Sequence, residues 1–383
     1  MSKPIRVLYW GMSSNIGGIE SFIMNVYRNI DRQKVQIDFI TSHDHDKIAF
    51  EDEIEAMGGK VYRVMYSESE SLIKSRTSLD KFFKEHKEYA AVHIHANFPY
   101  VFPLKYAKKA GIPVRIIHSH NSNGNVNNSS GIRKIVNKLR DMQIEKQIKK
   151  YPTHYFACSE LAADYMFPGR DYQWIKNGID LKKYSFDEEV RKEVRDELGV
   201  EDDCQLLGFI GRLRYQKNPY FIVDIFTEYQ KLNINSKLVI AGIGEWETGV
   251  KEAAKDLIDS GKALFLGKRT DAERLYQGMD AFLLPSFYEG LPVVLVEAQT
   301  AGLPCFTSNF VTKQIDVTNL INYYSLSDNA KLWAEKIYKS LGNYKRKSYR
   351  SQLETQGFGI ENVAKALEEF YIFEKSKESL VNE

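Results

Sequence analysis

The chain has 383 residues, of which 43% are hydrophobic and 27% are charged, an ordinary composition for a globular protein. Two domains are expected, since single hydrophobic cores stop growing near this length. The net charge is only +2, so no global excess of charge indicates nucleic-acid binding. The sequence lacks an apolar run of about eighteen residues and opens on a strand-like segment at residues 5–10. We therefore expect no membrane-spanning helix, no signal peptide and a cytoplasmic location.

The first half of the chain alternates strand-like and helix-like patterns. Residues 5–10 are typical of a strand, and apolar residues recur at helical spacing from Phe22 to Ile30, behind a loop that contains glycines. Further strand-like runs follow at residues 36–40, 60–64, 91–95, 114–117 and 154–158. Such alternation predicts a parallel sheet with helices on both faces.

The second half repeats this alternation after a break near Asp180. A highly charged stretch at residues 187–201 comes first. New strand-like runs follow at residues 205–210, 237–241, 263–266, 281–284 and 304–307. The sequence therefore predicts an α/β fold with two doubly wound, Rossmann-like domains, at residues 1–178 and 179–359. The tail, from about residue 360 to residue 383, has a helical pattern.

The residues that follow each strand are the candidates for a ligand site, because open parallel sheets bind ligands beyond the carboxyl ends of their strands. After the first strand, Gly17 and Gly18 lie in a loop that enters a helix, where backbone N–H groups can approach an anion. A tight turn without a ligand explains two glycines equally well, and the spacing is not that of a dinucleotide fingerprint. Asn177 and Gly178 form a turn signal at the end of the first domain.

Two cations follow the first strand of the second domain. Arg212 and Lys217 lie in a loop before a helix, and a guanidinium together with an ammonium suits a diphosphate. From these residues alone, two solvated surface cations are the simpler interpretation. Gly244 and Arg269 follow the next two strands, where a plain turn and a surface charge are equally good explanations.

Two glutamates follow the fourth strand of the second series. Glu289 lies in a loop with Gly290, Leu291 and Pro292, and Glu297 lies about two turns along the helix that comes next. Their spacing of eight residues can present both carboxylates at one end of a helix. Two carboxylates in that position can bind the hydroxyls of a sugar or a ribose. The alternative is chance, since any helix can hold two glutamates.

All eight histidines lie in the predicted first domain. His118 and His120 follow the fifth strand at its ligand-facing edge, and we favour His120 as a ligand contact because it lies further beyond the strand. His93 and His95 share one side of the strand before it. Two such pairs could suggest zinc, but no cysteine or carboxylate stands at metal-ligand spacing, so we predict no metal site.

Three other features have plain explanations. Asp44-His45-Asp46 has the Asp-x-Asp form of a divalent-metal site, but an exposed acidic turn is the preferred interpretation. Residues 121–130 are rich in Asn, Ser and Gly and are typical of a flexible loop. Cys158, Cys204 and Cys305 are widely separated, as buried free thiols of a reducing compartment would be.

Taken together, these motifs resemble the retaining glycosyltransferases of family 4, in particular the exopolysaccharide and capsule (EpsF-like) subgroup. The resemblance covers nearly the whole chain and is carried by residues 211–219 and 285–304, by Gly17-Gly18-Ile19-Glu20 and by residues 115–121. It implies the GT-B fold, in which two Rossmann-like domains face a central cleft. It also implies that the last helix packs back on the first domain, which takes the acceptor.

The same resemblance implies a nucleotide-sugar donor, with a UDP-sugar expected, bound by the second domain. Glu297 would accept hydrogen bonds from the ribose, and Glu289 would contact the sugar ring. Arg212 and Lys217 would neutralise the departing diphosphate as its charge builds. The sugar would be transferred with retention of its anomeric configuration, and neither a cofactor nor a metal is implied.

The remaining candidates would line the donor. Gly290, Leu291 and Pro292 would shape the loop beside the diphosphate, and Gly244 and Arg269 would flank the nucleotide. Domain closure would bring Gly18 and a histidine, His120 or His118, over the sugar and exclude water that would hydrolyse the donor.

The acceptor implied by the resemblance is a growing polyprenyl-diphosphate-linked glycan on the inner face of the cell membrane. Residues 103–150 hold eleven lysines and arginines against two acids, and part of this segment, from Ile132 to Ile148, has an amphipathic helical pattern. Such a segment can lie on an anionic membrane surface. A solvated basic face is nearly as good an explanation.

Two alternatives to a transferase stay open. A nucleotide-sugar epimerase shares the fold, although the spacing of Glu289 and Glu297 disfavours it. A catalytically silent partner subunit could bind a nucleotide sugar and assist a second enzyme, although the presence of Arg212 and Lys217 argues against it.

Overall fold

The structure, a computed structural model, describes residues 3–42, 47–65, 73–122, 132–342 and 344–381. It divides into two compact units, one formed by residues 1–178 with 360–383 and the other by residues 179–359. The Asp44-His45-Asp46 turn and most of the predicted flexible loop, residues 123–130, lie outside the described residues.

The first unit is built from alternating strands and helices, as the sequence predicts. Its elements are β1 (Ile5–Trp10), α1 (Gly18–Asn29), β2 (Val35–Ser42), α2 (Glu51–Ala56), β3 (Val61–Val64), α3 (Ile73–Glu85), β4 (Tyr89–Ala96), α4 (Phe102–Lys109), β5 (Val114–Ser119), α5 (Ile132–Lys150), β6 (His154–Ala157), α6 (Glu160–Met166) and β7 (Gln173–Trp174). The described strands pair in parallel in the order β3-β2-β1-β4-β5-β6-β7. β2 and β4 are buried along their whole length, since helices cover both faces of a parallel sheet.

The second unit repeats the same scheme. Its elements are α7 (Glu188–Leu198), β8 (Gln205–Ile210), a 3-10 turn (Tyr215–Lys217), α8 (Pro219–Leu232), β9 (Ser236–Ala241), α9 (Glu247–Ala253), α10 (Lys255–Asp259), β10 (Ala263–Gly267), α11 (Ala272–Gly278), β11 (Ala281–Leu284), α12 (Val293–Thr300), β12 (Cys305–Ser308), a 3-10 turn (Lys313–Ile315), β13 (Ile321–Tyr324), α13 (Ala330–Leu341) and α14 (Arg350–Thr355). Its described strands form a parallel sheet in the order β10-β9-β8-β11-β12-β13.

The last helix, α15 (Ile360–Val381), packs on the first unit. Its apolar residues Leu367 and Tyr371 share a hydrophobic core with Tyr9 of β1 and residues of α1. Glu368 adds polar contacts: its Oε2 accepts from the backbone N–H of Asp31 at 2.9 Å and its Oε1 from Lys34 Nζ at 2.9 Å. The chain therefore ends in the unit in which it begins.

Both sheets have the strand order of a doubly wound fold, in which the order reverses between the first strand and the fourth. The reversal falls between β1 and β4 in the first unit and between β8 and β11 in the second. Loops that leave the carboxyl ends of these neighbouring strands diverge and form the crevice in which such sheets bind ligands. The predicted α/β fold of two Rossmann-like domains is confirmed.

Candidate active site

The loops after β8 and β11 meet at the reversal point of the second sheet. Lys217 follows β8 and Glu289 follows β11, and Lys217 Nζ lies 2.6 Å from Glu289 Oε1. The side chain of Lys217 is 13% exposed and that of Glu289 is 6% exposed. Because water is largely excluded, the attraction between these two charges is less screened than in a pair on the open surface. The structure thus brings together two of the charged residues that the sequence predicts for a donor site.

Gln216 connects the same two loops and was not among the residues predicted from the sequence. Its Nε2 donates to the backbone carbonyl of Tyr288 at 3.0 Å and to Glu289 Oε2 at 3.3 Å. Its own backbone carbonyl accepts from the N–H of Phe287 at 2.9 Å. Gln216 is buried, and its hydrogen bonds hold the Glu289 side chain in position beside Lys217.

Arg212 lies in the same loop as Lys217 but is exposed. The next residue, Leu213, is buried, and its backbone ties this loop to the one after β9. Leu213 N–H donates to the carbonyl of Ile243 at 3.0 Å, and Leu213 O accepts from the N–H of Trp246 at 2.9 Å. A side chain at Gly244 would place its Cβ only 2.3 Å from Leu213 O, so the close approach of the two loops requires glycine there.

Glu297 lies in α12, two turns beyond Glu289, and is half-buried. Burial raises the pKa of its carboxyl, while hydrogen bonds from Tyr276 and Tyr184 lower it. The Tyr276 hydroxyl donates to Glu297 Oε2 at 2.8 Å. The two tyrosines were not predicted from the sequence: Tyr276 lies in α11 and Tyr184 in a turn before α7, and neither shares a short motif with Glu297.

The loop between the two glutamates leads directly into a helix N-terminus. Gly290, Leu291 and Pro292 are buried, and Pro292 is the N-cap of α12. The first N–H groups of a helix, with the positive end of its dipole, favour a phosphate. The placement of these three residues beside Glu289 suits the role that the sequence analysis gave them.

Arg269 forms ion pairs with two carboxylates. Its Nε and Nη2 lie 2.8 and 2.7 Å from the oxygens of Asp271, and Nη2 lies 3.0 Å from Glu197 Oε1. These carboxylates hold the pKa of the guanidinium well above its usual value. The pairing supports the surface role that the sequence left open for Arg269, beside its suggested contact with the nucleotide.

Gly18 begins α1 of the first unit, after the N-cap Gly17. A Cβ at position 18 would meet nothing within 4 Å among the described residues. Packing in the first unit therefore does not demand glycine at this position, in contrast to Gly244. Room for a ligand is one reason for a glycine in such a place.

The four histidines at the ends of β4 and β5 form two stacked rows. His93 and His118 make one row, with Nε2 of the first 3.2 Å from Nδ1 of the second, and His95 and His120 make the other, with Nδ1 of the first 3.0 Å from Nε2 of the second. The rows stack, since the ring centroids of His93 and His95, and those of His118 and His120, are 4.1 Å apart. We call these four side chains the imidazole stack.

Of the two histidines predicted to contact the sugar, only His120 is partly exposed. His118 is fully buried, and within the described ranges its Nε2 has no hydrogen-bond partner. Burial lowers the pKa of His118 well below its ordinary value, and it lowers that of His120 to about 3 despite an opposing hydrogen bond with the Asn177 side chain. Both rings are therefore neutral at neutral pH.

His93, His95 and His118 lie close enough for one nitrogen of each to approach a common ion, within 4.8 Å of one another. The ring planes oppose this. An imidazole binds a metal along a lone pair in its own plane, and the planes of His93 and His95 are only 20° from parallel at 4.1 Å. Two stacked rings cannot both point a lone pair at one ion, so the geometry agrees with the prediction of no metal site, which stays a prediction.

Two family models that match this chain, and a relative that matches nearly all of it, are described as glycosyltransferases. The family model described as Glycosyltransferase Family 4 matches residues 16–183, and the one described as Glycosyl transferases group 1 matches residues 190–355. EpsF of Bacillus subtilis, a glycosyltransferase by name, is 31% identical over 385 residues, spanning 98% of this chain and 99% of EpsF. The chain belongs to the family 4 glycosyltransferases.

Other relatives of this transferase carry related names. A galactosyltransferase of Escherichia coli, named for the transfer of galactose from UDP-Gal to α-D-GlcNAc-diphosphoundecaprenol, is 28% identical over 249 residues, or 62% of this chain and 63% of that protein. The capsular polysaccharide glycosyltransferase CapM of Staphylococcus aureus is 28% identical over 170 residues, or 44% of each chain. The names describe transferases, so they give no support to the epimerase alternative.

Solved structures support the GT-B fold of the transferase. HepE of Anabaena, crystallised with UDP and glucose, superposes with a TM-score of 0.69 at 14% identity, over 98% of this chain and 99% of HepE. A glycosyltransferase of Rickettsia africae gives a TM-score of 0.75 at 15% identity, over 97% and 99% of the two chains. At such identities the likeness shows the fold alone, and the roles of individual side chains stay predictions.

Across the described parts of the transferase, none of the helices is both long enough and apolar enough to cross a bilayer. In the basic segment, the side chains of residues 132–140 lie outside the described residues, so its predicted amphipathic face cannot be traced there. Further along α5, Lys146, Lys149 and Lys150 are exposed, and so is Met142.

Proposed function

We propose that the transferase moves a sugar, with retention of configuration, from a UDP-sugar to a lipid-linked oligosaccharide during exopolysaccharide or capsule biosynthesis. The observation that carries the proposal is the Lys217–Glu289 pair at the reversal point of the second sheet, with Glu297 two turns further on. A cation for phosphate and two carboxylates for hydroxyls are the groups that a nucleotide sugar needs. Support also comes from the names of EpsF, CapM and the E. coli galactosyltransferase.

In this proposal, each charged residue binds a different part of the donor. Glu297 accepts from the ribose hydroxyls, and Tyr276 holds the carboxylate in place for them. Glu289 accepts from hydroxyls of the sugar ring. Lys217 and Arg212 bind the diphosphate, together with the N–H groups that begin α12. No metal is needed, because these donors neutralise the charge that develops on the leaving group.

The transfer step breaks the bond between the anomeric carbon and the diphosphate oxygen and forms a bond from that carbon to an acceptor hydroxyl on the same face. The proton of the hydroxyl leaves on the departing diphosphate. We assign it there because burial lowers the pKa of His120 to about 3, which makes this imidazole a poor base. His120 then serves as a hydrogen-bond partner of the sugar.

The acceptor in the proposal is a polyprenyl-diphosphate-linked glycan, as in the name of the E. coli relative. The lipid would keep its diphosphate at the inner membrane surface, so the enzyme must work there. Exposed Lys146, Lys149 and Lys150 on α5 offer positive charge to anionic lipids. Peripheral docking through this helix follows as part of the proposal.

A thermal-shift panel tests the donor site, because a ligand that binds the native state raises its melting temperature. We expect UDP to raise the Tm of the wild type more than GDP or ADP does, and we expect Glu297→Ala to lose this shift. A UDP shift of wild-type size in Glu297→Ala would contradict the ribose assignment. The absence of any nucleotide shift in the wild type would instead favour a protein that keeps the fold without the activity.

A further inference from the structure

The imidazole stack has a polar row that is fixed to the last helix. Tyr371 of α15 lies with its hydroxyl 2.6 Å from His93 Nδ1 and 2.9 Å from the hydroxyl of Tyr9. His93 Nε2 in turn faces His118 Nδ1. Since Tyr9, His93, His118 and Tyr371 are all buried, this row forms a rigid layer on which the second row stacks.

The second row has one buried ring and one ring that reaches the surface. His95 is 2% exposed, whereas His120 is half-buried. Nδ1 of His95 is committed to Nε2 of His120, and Nε2 of His95 has no hydrogen-bond partner among the residues that the structure describes. With Nε2 of His120 held in this way, Nδ1 is left for other partners: the Asn177 side chain, which shares a hydrogen bond with His120, and an oxygen of the substrate that competes with it.

The buried Nε2 of His95 determines which ring nitrogens of His95 and His120 carry a proton. Burial lowers the pKa of both rings, so each neutral imidazole carries one ring proton. If His120 donated to His95, the proton of His95 would lie on Nε2, for which the described part of the chain offers no acceptor. Buried N–H groups without an acceptor are rare in proteins. The reverse arrangement, in which His95 Nδ1–H donates to His120 Nε2, leaves only a bare nitrogen unpaired.

We propose that His95 is a positioning residue that holds His120 in its Nδ1–H tautomer, so that His120 presents a hydrogen-bond donor to an oxygen of the substrate. The role in turnover rests on the function proposed above, whereas the tautomer itself does not. The hydrogen bond and the stacking against the His93–His118 row together fix the plane of the His120 ring. The expected ligand atom is a hydroxyl or ether oxygen of the sugar, which can accept from Nδ1–H.

The tautomer can be measured directly by nuclear magnetic resonance of protein labelled with ¹⁵N-histidine at neutral pH, with His120→Gln to assign the His120 signals. We expect one neutral tautomer of His120, protonated at Nδ1. His95→Phe keeps a ring in the stack but removes the donor, and it should leave His120 as a mixture of tautomers. In His95→Asn, the amide nitrogen can replace Nδ1, and the single tautomer should be retained.

His93→Phe is the matched control, because His93 is equally buried and stacked but bonds to His118 rather than His120. It should leave the His120 signals unchanged. Protonation of His120 at Nε2 in the wild type, a result that needs no variant to fold, would overturn the proposal. Unchanged His120 signals in folded His95→Phe would overturn it as well.

Turnover separates a positioning role from a purely structural one. We expect His95→Phe to lower kcat for sugar transfer by about tenfold or more, as misplacing a contact group can, with the Kd for UDP unchanged. His95→Asn should recover most of the loss, and His93→Phe, which keeps a ring in the stack and the His95–His120 hydrogen bond, should lower kcat less than His95→Phe does. Wild-type kcat in His95→Phe would overturn the positioning role. A wild type that binds no UDP would overturn the proposed function and leave the tautomer result standing.

Discussion

Lys217 and Glu289 form an ion pair with little access to solvent. In the proposed donor complex, Lys217 binds the diphosphate, whereas Glu289 binds the sugar ring. The two side chains should therefore affect binding of the nucleotide in different ways. Gln216, which contacts Glu289 but carries no charge, holds the loops together in either case.

The first prediction separates these roles with two nearly isosteric substitutions. Lys217→Met should weaken UDP binding by about tenfold or more, because a charge-assisted hydrogen bond to phosphate contributes about 1.5–3 kcal/mol. Glu289→Gln should keep UDP affinity near that of the wild type, since UDP lacks the sugar, but lose most sugar transfer. Calorimetric titration with UDP checks both, and equal affinities of Lys217→Met and wild type would contradict the assignment.

Glu297 should reduce stability at neutral pH. Burial raises the pKa of its carboxyl above the ordinary 4.5, and its hydrogen bonds with tyrosines only partly oppose this. A group whose pKa is raised by folding contributes stability that is fully present at low pH and is lost as the pH rises through the folded-state pKa. The ionised carboxylate of Glu297 therefore destabilises the fold at neutral pH. Such a cost is expected of a residue whose role is to bind a ligand.

The second prediction is that removing the charge of Glu297 stabilises the protein at neutral pH. Glu297→Gln keeps an acceptor for Tyr276 but cannot ionise, so its Tm should exceed that of the wild type at neutral pH. The difference should shrink as the pH falls through the raised pKa of Glu297. Melting curves over a pH series test this, with the exposed Glu361→Gln as a control for the removal of one surface carboxylate. A variant that is less stable than the wild type at every pH would refute the argument.

At the scale of the elements, two glycines predicted for the same donor have opposite surroundings. Gly244 lets the loop after β9 pass close to Leu213 O, whereas the space beside Gly18 at the start of α1 is open. Only the first is explained by packing within its own unit. Substitution by alanine should therefore separate a structural glycine from one that is free to serve a ligand.

The third prediction is that Gly244→Ala destabilises the protein by about 1–3 kcal/mol, because its Cβ would overlap Leu213 O. Gly18→Ala should change the free energy of unfolding by less than about 0.5 kcal/mol while still lowering sugar transfer. Urea denaturation and a transfer assay on both variants provide the comparison. Equal destabilisation by the two substitutions would mean that the surroundings described for Gly18 are wrong.

The central elements could be predicted from the sequence because their residues form continuous apolar runs. The strands β2, β4, β5, β8 and β11 all appear where such runs occur. The edge strands β7 and β13 were missed: β7 has two residues, and three of the four residues of β13 are only half-buried. An edge strand has one neighbour and less burial, so its sequence carries a weaker pattern.

The site was predictable only where its residues lie in one short motif. Glu289, Glu297, Arg212 and Lys217 follow strand ends at recognisable spacings. Gln216 and Tyr276 were missed, because their contacts join positions 73 and 21 residues apart. His95 was noted as a neighbour of His93, but its partner His120 lies 25 residues away. Such partners become visible only once the sheet order is known.

At the scale of the whole molecule, the two units share one strand order but carry different side chains in the loops beyond their strands. The crevice of the second unit holds Lys217 and Glu289, and that of the first holds Gly18 and His95 with His120. One unit therefore offers charges that suit a nucleotide diphosphate, and the other offers neutral donors and open space.

The central claim, sugar transfer to a lipid-linked acceptor, is tested most directly by incubating the purified protein with labelled UDP-sugars and polyprenyl-diphosphate-GlcNAc in anionic vesicles. The account predicts that one UDP-sugar passes its label to the lipid fraction in an α linkage, and that Glu289→Gln, folded and able to bind UDP, does not transfer it. An epimerised UDP-sugar with no labelled lipid, or full transfer by Glu289→Gln, would contradict it.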